Sequence, residues 1–516
     1  MLAICTASDE NFPMQGKASP DRQMLDAAAF CRALVEEGSI YAFLADHRDE
    51  LFKDEEFADL FPSGRGRPSV PASLVCSVMV LQALEGLSDR DAIRQLRTRI
   101  DWKVASGLAL DDPGFDFTVL TYWRSRLRVS SRPERIFDAV RRVVAETGVL
   151  AKKTRRALDS TILDDAVATQ DTVTQLISQS RRVLAAIPEL SSVPVAHEYA
   201  TLAKPVIDWS DKHQRDAVVS ALVTDATALV EAAASLPLDP TQQAAVGLLA
   251  LVAAQDVEPG DEQGTWRIAR RVAKDRVISV VDPEARHGHK SVAVRKDGYK
   301  AHLAIEPDTG IVTAAGITPA NHPDGPVGVE LLAEEAPTEV LADSAYGSGK
   351  VRAELSVRHR LVIKPVPTRP AVPGGFSRDE FTVDHTARTV TCPAGHTKSL
   401  GGRGVARFSP HCGRCPLQSR CTTARARSFT VSANDAELVA ARAVWRDPKV
   451  TSTYRRHRPM AERSISWLVA KGNRRLRYRG TERNEQWLMV RVAALNLRRL
   501  LALGLSFDGT WKVSSA

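Results

Sequence analysis

Apolar residues recur at helical spacing through the first part of the chain. Over residues 69–85 they fall on one helical face, and Gly86 follows the last of them. Ser88 with Asp91 three residues later is typical of the N-cap of a second helix. Two shorter helical patterns follow, one of them around Trp102. The pattern predicts a compact set of helices before residue 130.

The middle of the chain changes to short strand-like runs. Runs rich in Val, Ile, Leu and Ala occupy residues 157–163, 277–281, 299–305, 310–317 and 339–343. An alanine-rich stretch with helical spacing, 172–264, separates the first run from the others. This order predicts a mixed α/β sheet interrupted by an all-helical insertion.

A change in residue composition and predicted secondary structure marks each boundary that we predict between parts of the chain. Residues 365–435 are irregular and contain four of the seven cysteines, and a basic helical region follows. The predicted parts are an N-terminal helical segment (1–65), a helical DNA-binding domain (66–150), an α/β core (151–171 and 265–364), a helical insertion (172–264), a Cys-rich insertion (365–435) and a basic helical part that completes the core (436–516).

The net charge indicates a polyanionic partner. The chain carries +8 at neutral pH, and residues 455–499 hold 13 Lys or Arg against three acids. A basic surface of this kind is the electrostatic requirement for binding a DNA backbone. The N-terminal helices end in the basic segment Trp123-Arg124-Ser125-Arg126 and are either helix-turn-helix-like or a plain bundle with a solvated arginine face. The candidate DNA contacts are Arg124, Arg126, Arg455, Arg458, Lys471, Arg474 and Arg475.

We expect a cytoplasmic protein without a membrane partner. The first 25 residues lack the basic and apolar regions of a signal peptide. The longest wholly apolar run, residues 244–254, is too short to span a bilayer.

Four cysteines lie within 30 residues of one another, which in a reducing compartment indicates metal before disulfides. Cys412 and Cys415 form a C-x2-C knuckle, with Cys392 before it and Cys421 after it. Four thiolates suit a structural zinc ion. Free thiols and a redox role are the alternatives, and His396 and His411 are possible substitute ligands.

Three acids stand where a rigid framework would hold them. Asp159 and Asp343 each end a strand-like run, and Glu462 lies in a basic helix. Carboxylates so held suit magnesium, and two such ions clamp both oxygens of an in-line phosphodiester displacement. Each residue also has an ordinary interpretation as a helix cap or an ion-pair partner. Asp164 is the alternative first ligand, and Asp165 and Asp171 are further rivals.

Several motifs, taken in order, resemble the DDE transposases of bacterial insertion sequences, and within them the insertion-sequence 1182 family. The resemblance begins near residue 67 and runs to the C-terminus. The motifs are Leu158-Asp159-Ser160-Thr161, residues 163–171, residues 281–288, Asp297-Gly298-Tyr299-Lys300-Ala301-His302, Thr318-Pro319-Ala320-Asn321 with Asp324, Ala342-Asp343-Ser344-Ala345-Tyr346-Gly347, and Arg458-Pro459-Met460-Ala461-Glu462-Arg463.

The resemblance implies an RNase H-like catalytic core with Asp159, Asp343 and Glu462 as ligands of Mg²⁺ or Mn²⁺. It further implies double-stranded DNA as partner, both transposon ends and target, bound by a homodimer. The chain departs from the Tyr-Arg-Glu-Lys signature of related transposases. Arg455 stands at the tyrosine position and Val469 at the lysine position, with Tyr454 one residue early and Lys471 two residues late.

The sequence leaves open the role of Arg458 and two alternative functions. Arg458 stands four residues before Glu462, on the same helix face, and either contacts a phosphate or pairs with the glutamate. The leading prediction is a transposase that cleaves and joins DNA. The alternatives are a catalytically inactive DNA-binding relative and an RNase H-like nuclease that cleaves without joining.

Overall fold

A computed structural model describes residues 15–17, 25–63, 68–289 and 295–514. The predicted boundary between residues 65 and 66 lies outside these residues. Seven α-helices and two short 3-10 helices form the described N-terminal region, and the α-helices are numbered here. They are α1 (Ala27–Cys31), α2 (Ile40–Leu51), α3 (Ala72–Glu85), α4 (Asp89–Thr98), α5 (Ile100–Ser106), α6 (Thr118–Val129) and α7 (Arg135–Glu146).

The predicted helix ends in this region are confirmed by the backbone geometry. Gly86 follows α3 with a left-handed φ of 68°, which a residue without Cβ adopts at little cost. The Ser88 hydroxyl accepts a 3.1 Å hydrogen bond from the Asp91 amide at the start of α4. Trp102 and Trp123 are fully buried between the helices. Their burial makes this region a packed unit.

A mixed sheet with flanking helices forms the centre of the molecule. Its elements and those of the insertion are β1 (Arg155–Asp164), α8 (Thr172–Ala186), α9 (Lys212–Ala233), α10 (Pro240–Gln255), β2 (Val257–Pro259), β3 (Trp266–Ile268), β4 (Arg286–His289), β5 (Arg295–Ile305), β6 (Val312–Pro319), α11 (Asp324–Leu331), β7 (Glu339–Ala342), α12 (Gly349–Ser356) and β8 (Arg360–Ile363).

The remainder of the chain forms a small β-rich unit and three long helices. These elements are β9 (Thr382–Asp384), β10 (Thr389–Thr391), β11 (Thr397–Ser399), β12 (Val405–Arg407), α13 (Ser409–Cys412), α14 (Gln418–Cys421), β13 (Ser428–Thr430), α15 (Asp435–Trp445), α16 (Pro448–Val469), α17 (Thr481–Ala502), β14 (Leu505–Phe507) and β15 (Trp511–Val513).

The central sheet has the strand order β4-β5-β1-β7-β8, and β6 also pairs with β5. β5 is antiparallel to β1, β4 and β6, whereas β1, β7 and β8 are parallel. A mixed sheet with this order is consistent with the RNase H-like core that the resemblance implies.

Two expectations about secondary structure need correction. The insertion is not all helical, because the hairpin β2–β3 follows α10 and crosses residue 264. Residues 277–281 are not a strand of the sheet. They are buried, but the Gln175 and Gln170 side chains hold the carbonyl of Val277 and the amide of Val280 in place of a neighbouring strand.

One hydrophobic core joins the N-terminal helices, one face of the sheet and α17. Asn496 on α17 links this helix to the sheet, because its side-chain amide exchanges hydrogen bonds of 2.9 and 2.8 Å with the backbone of Val312 in β6. The opposite face of the sheet packs on α11 and α12 through Leu158, Val340 and Tyr346. The N-terminal helices and C-terminal helices therefore support the sheet as one body.

Across the described residues, no single helix is long and apolar enough to cross a membrane. Helices α3 and α4 reach that length and apolar composition only when taken together, and they are bent by 110° relative to each other.

Candidate active site

Asp159, in the middle of β1, forms a two-point ion pair with Arg458 of α16. The two guanidinium nitrogens lie 3.0 and 2.9 Å from the two carboxylate oxygens. Both side chains are largely shielded from solvent, with 15% of Asp159 and 6% of Arg458 exposed. Burial alone would lower the pKa of Arg458, but the hydrogen bond and charge of Asp159 raise it above its usual value. Arg458 is therefore charged, and it orients the carboxylate.

Asp343 follows β7, the strand next to β1. The parallel register pairs Ala157 with Leu341, and its extension by two residues brings Asp343 level with Asp159. Neighbouring strands lie about 5 Å apart. The Asp343 carboxylate accepts a 2.9 Å hydrogen bond from the Ala345 amide. Burial raises the pKa of Asp343, and the charge of Asp159 adds to the effect. The sheet thus brings these two predicted acids together.

Glu462 lies one turn after Arg458 on α16, the helix that packs across β1 and β7. Its side chain is exposed and makes no hydrogen bond or ion pair with the described part of the chain. Pro459, between these two residues, has no amide hydrogen to donate to the preceding turn. Arg458 binds Asp159 and not Glu462, an outcome that neither sequence-based alternative included.

Tyr454, one residue away from the expected signature position, also belongs to this cluster. Burial raises its pKa, Arg458 opposes the shift, and the negative charges of Asp343 and Glu462 add to it. Tyr454, Arg458 and Glu462 are spaced by four residues and so share one face of α16. The helix face that carries Glu462 therefore also faces Asp343.

A further acid, Asp324 at the start of α11, extends the group, although the sequence supplied no role for it. Its proximity is reflected in the pKa of the buried Tyr346 hydroxyl. Burial raises this pKa, and the negative charges of Asp324, Asp159 and Asp343 raise it further. The Tyr346 hydroxyl lies beside Ser160 but makes no full hydrogen bond within the described residues. The negative charges of three aspartates thus act on one buried hydroxyl that lacks a hydrogen-bond partner among the described residues.

Two motif residues on β5 hold Asp324 in place. The Lys300 ammonium lies 2.9 Å from its carboxylate, and the His302 ring lies 3.8 Å away. His302 also shares a 2.9 Å hydrogen bond with the Thr318 hydroxyl. Burial lowers the pKa of His302 to about 4, so the ring is neutral at physiological pH. The signal for these residues was present in the sequence as motifs, but their mutual contact was not.

The acids gather without forming a closed metal cage. Among the residues that the structure describes, no group of three or more His, Cys, Asp or Glu side chains is arranged to hold a metal ion. The donor chemistry nevertheless fits magnesium, because Asp159, Asp343 and Glu462 all offer carboxylate oxygens, the ligands that Mg²⁺ prefers.

Two family models match the chain. A transposase domain, DUF772, matches residues 30–126. The transposase DDE domain matches residues 265–497, which include Asp343 and Glu462. The chain is a DDE transposase. No curated protein and no solved structure matches it.

The predicted class of enzyme is therefore confirmed. DDE transposases act on DNA and use divalent metal ions, so DNA binding and a metal requirement follow for this transposase. Asp159 lies outside both matched segments, in the 127–264 interval that separates them. Its role stays a prediction, which is supported by its contact with Arg458 inside the matched domain.

The rival acids of the transposase have other partners. Asp164 pairs with Lys296 at 2.8 Å. Asp171 caps α8 through the Thr174 amide and pairs with Lys204. Asp165 is buried, and burial together with nearby Asp297 raises its pKa to about 6. We find Asp159, not Asp164, beside Asp343.

The predicted DNA contacts divide into buried and exposed arginines and lysines. Arg124 is buried and pairs with Asp89, and Arg126 donates to the Leu60 carbonyl, so both are engaged within the N-terminal helices. Arg474 donates to the Ile162 carbonyl at the edge of β1. The exposed members of the predicted set are Arg455, Lys471 and Arg475.

The four clustered cysteines line one small cavity, together with His396 and His411. All four are free thiols. Burial raises the pKa of Cys421, and the other three thiols add to the shift. The two histidine rings stack with centroids 4.3 Å apart. The irregular segment therefore brings Cys392, Cys412, Cys415 and Cys421 to the lining of one cavity, although these side chains are not arranged as a metal-binding group in the described part of the chain, and the zinc site stays a prediction.

Proposed function

We propose that this transposase cleaves and joins DNA at the ends of an insertion sequence of the 1182 family, with Asp159, Asp343 and Glu462 as its catalytic carboxylates. The observation that carries the proposal is the alignment of Asp343 with Asp159 on adjacent strands beneath the α16 face that bears Glu462. A nuclease that cleaves without joining and an inactive DNA-binding relative are the alternatives.

In the proposed chemistry the rigid sheet and α16 supply oxygen ligands in fixed positions. The three carboxylates would hold Mg²⁺ or Mn²⁺, which stabilises charge on the attacking and leaving oxygens of the phosphodiester. Arg458 orients the Asp159 carboxylate through its two-point contact. Asp324 adds negative charge beside Asp343, and Lys300 limits that charge by pairing with it.

We further propose that Cys392, Cys412, Cys415 and Cys421 hold a structural zinc ion. The support is their convergence on one cavity within a segment that has only a small hydrophobic core around Phe381. Short strands with so small a core gain stability from a tetrahedral metal site. A homodimer on DNA is proposed from the family resemblance, and size-exclusion chromatography with a bound duplex tests it.

The catalytic proposal is tested by charge-removing variants of nearly unchanged shape. Asp343→Asn and Glu462→Gln should each lower strand cleavage by at least about 10²-fold, the low end for loss of one electrostatic group in an active site. The assay is cleavage of a labelled duplex that carries the inverted repeat flanking the coding region, with Mg²⁺ or Mn²⁺. A gel shift on the same duplex should show unchanged binding.

Asp159→Asn should lower cleavage to the same extent, but its folding must be checked separately because the change also removes the partner of Arg458. Asp164→Asn is the matched control, since Asp164 lies on the same strand and pairs with Lys296. Normal cleavage by Asp159→Asn with loss in Asp164→Asn would reassign the first ligand. Cleavage without joining by the parent protein would support the nuclease, and binding without cleavage the inactive relative.

A further inference from the structure

A polar cleft opens between the start of β1 and the first half of α16. Its wall carries four basic side chains, Lys153, Arg155, Arg456 and His457, and one carboxylate, Asp308. Two hydroxyl side chains of α16 complete the lining. The set of DNA contacts predicted from the sequence includes none of these residues.

Contacts within the cleft hold its basic groups in place; His457 is buried, whereas Lys153 is partly exposed and Arg456 is exposed. Asp308 lies 3.4 Å from the Lys153 ammonium and 3.1 Å from the His457 ring. Arg155 binds Glu339 through its Nε at 2.8 Å, and its side chain lines the cleft and is 37% exposed. Arg456 is exposed and has no ion-pair partner among the described residues. One carboxylate thus positions two bases of the cleft and neutralises only part of its charge.

The backbone beside the cleft also has an unusual conformation. Lys152 has a left-handed φ of 63°, which a residue with a Cβ adopts at some energetic cost. The turn it belongs to is closed by a 3.0 Å hydrogen bond from the Lys153 amide to the Leu150 carbonyl. This turn directs the chain into β1 with Lys153 at the rim of the cleft.

We propose that this cleft binds a backbone phosphate of the DNA that lies a few nucleotides from the phosphodiester at the candidate active site. This inference rests on the proposed transposase function. Guanidinium, ammonium and hydroxyl groups are the usual protein ligands of DNA phosphates. The cleft and the candidate active site both lie between β1 and α16. Along β1, Arg155 precedes Asp159 by four residues, which is about 13 Å. At 3.4 Å per nucleotide of one strand, this distance corresponds to about four nucleotides along a duplex.

The test is the salt dependence of DNA binding by the full-length protein. The probe is a 30-base-pair fluorescein-labelled duplex of random sequence, followed by fluorescence anisotropy between 50 and 200 mM KCl. The double variant Lys153→Ala/Arg456→Ala should bind several-fold more weakly, and the slope of log K against log salt should fall in magnitude by about 1, the value for one lost phosphate contact. Arg456→Lys keeps the charge and should retain most of the affinity.

The matched control is Lys212→Ala/Lys512→Ala, which removes two exposed charges from α9 and β15. It should change the slope little, and thermal melting should show that both double variants are folded. An unchanged slope in Lys153→Ala/Arg456→Ala, with normal binding by the parent, would overturn the cleft proposal alone. Absence of DNA binding by the parent would overturn the proposed function as well.

A second arm separates a DNA phosphate from a free anion. Replacement of chloride by 10 mM inorganic phosphate at constant ionic strength should leave duplex binding unchanged, because one phosphate ion lacks the other contacts of the duplex. If inorganic phosphate displaced the duplex from the parent but not from the double variant, the cleft would be a small-anion site and the proposal would be wrong.

Discussion

Arg458 and Asp159 lie 299 residues apart in the chain, yet their side chains meet through two contacts of 3.0 and 2.9 Å. The pair connects α16 with the centre of β1. It also means that the first predicted metal ligand has a fixed cationic neighbour. Any divalent ion bound by Asp159 would share that carboxylate with Arg458.

The first prediction concerns the stability of this pair. Arg458→Met should lower the free energy of unfolding by about 3 kcal/mol, because it leaves a shielded carboxylate without its partner. Asp159→Asn/Arg458→Met should recover a large part of that loss, since no unpaired charge is left. Urea unfolding of the parent, both single variants and the double variant measures the coupling. A double variant as unstable as the sum of the two single variants would show that the two residues act independently.

The second prediction concerns the buried ring of His302. Its folded pKa of about 4 lies below the usual value of 6.5, so the unfolded chain takes up the proton first as the pH falls. The stability contribution of the neutral ring is complete above pH 6.5 and decreases as the pH falls toward 4. Between pH 7.5 and 5.5 the free energy of unfolding of the parent should fall by about 1.4 kcal/mol relative to His302→Gln, because over this interval the ring takes up a proton in the unfolded chain but not in the folded one.

Urea unfolding of the parent and His302→Gln at the two pH values gives this difference. The other histidines are common to both proteins and cancel in the comparison. Equal losses in the two proteins would mean that His302 is protonated in the folded state, contrary to its burial between Thr318 and Asp324.

The third prediction concerns the cysteine cluster. Protein purified without added zinc should contain about one zinc per chain. Cys412→Ser/Cys415→Ser should lose the metal and become sensitive to protease within residues 365–435, because the segment has little other core. Cys31→Ser, a change at a free cysteine outside the cluster, is the control and should keep its zinc. Zinc-free parent protein and an unchanged protease pattern in the double variant would together exclude a structural zinc site.

The fourth prediction separates structural arginines from DNA-binding ones. Arg475 is exposed beside the end of β1, so Arg475→Ala should weaken duplex binding and reduce the salt slope without affecting folding. Arg124 is buried against Asp89, so Arg124→Met should lower the melting temperature and leave the affinity of the folded fraction unchanged. Anisotropy titrations with thermal melting measure both. Weaker binding by fully folded Arg124→Met would restore Arg124 as a DNA contact.

The sequence alone determined the features that depend on neighbouring residues. Gly86 and Ser88 mark a helix end and the next helix start through local backbone geometry, and α3 and α4 begin and end near them. The alternating and apolar runs predicted β1, β5, β6 and β7 in order, since burial of one or both strand faces leaves its pattern in consecutive residues. Residues 277–281 carry the same apolar pattern without forming a strand, because that pattern reports burial and not pairing.

Only the tertiary structure decided which distant side chains meet. The sequence placed Arg458 near Glu462, but the packing of α16 across the sheet made Asp159 its partner. Asp324 became a neighbour of Asp343 because α11 packs against the sheet beside Tyr346. Lys153 and His457 share Asp308 as a partner because β1 starts beneath α16. Local periodicity records whether a residue is buried, whereas the identity of its partner depends on strand register and helix packing between segments far apart in the chain.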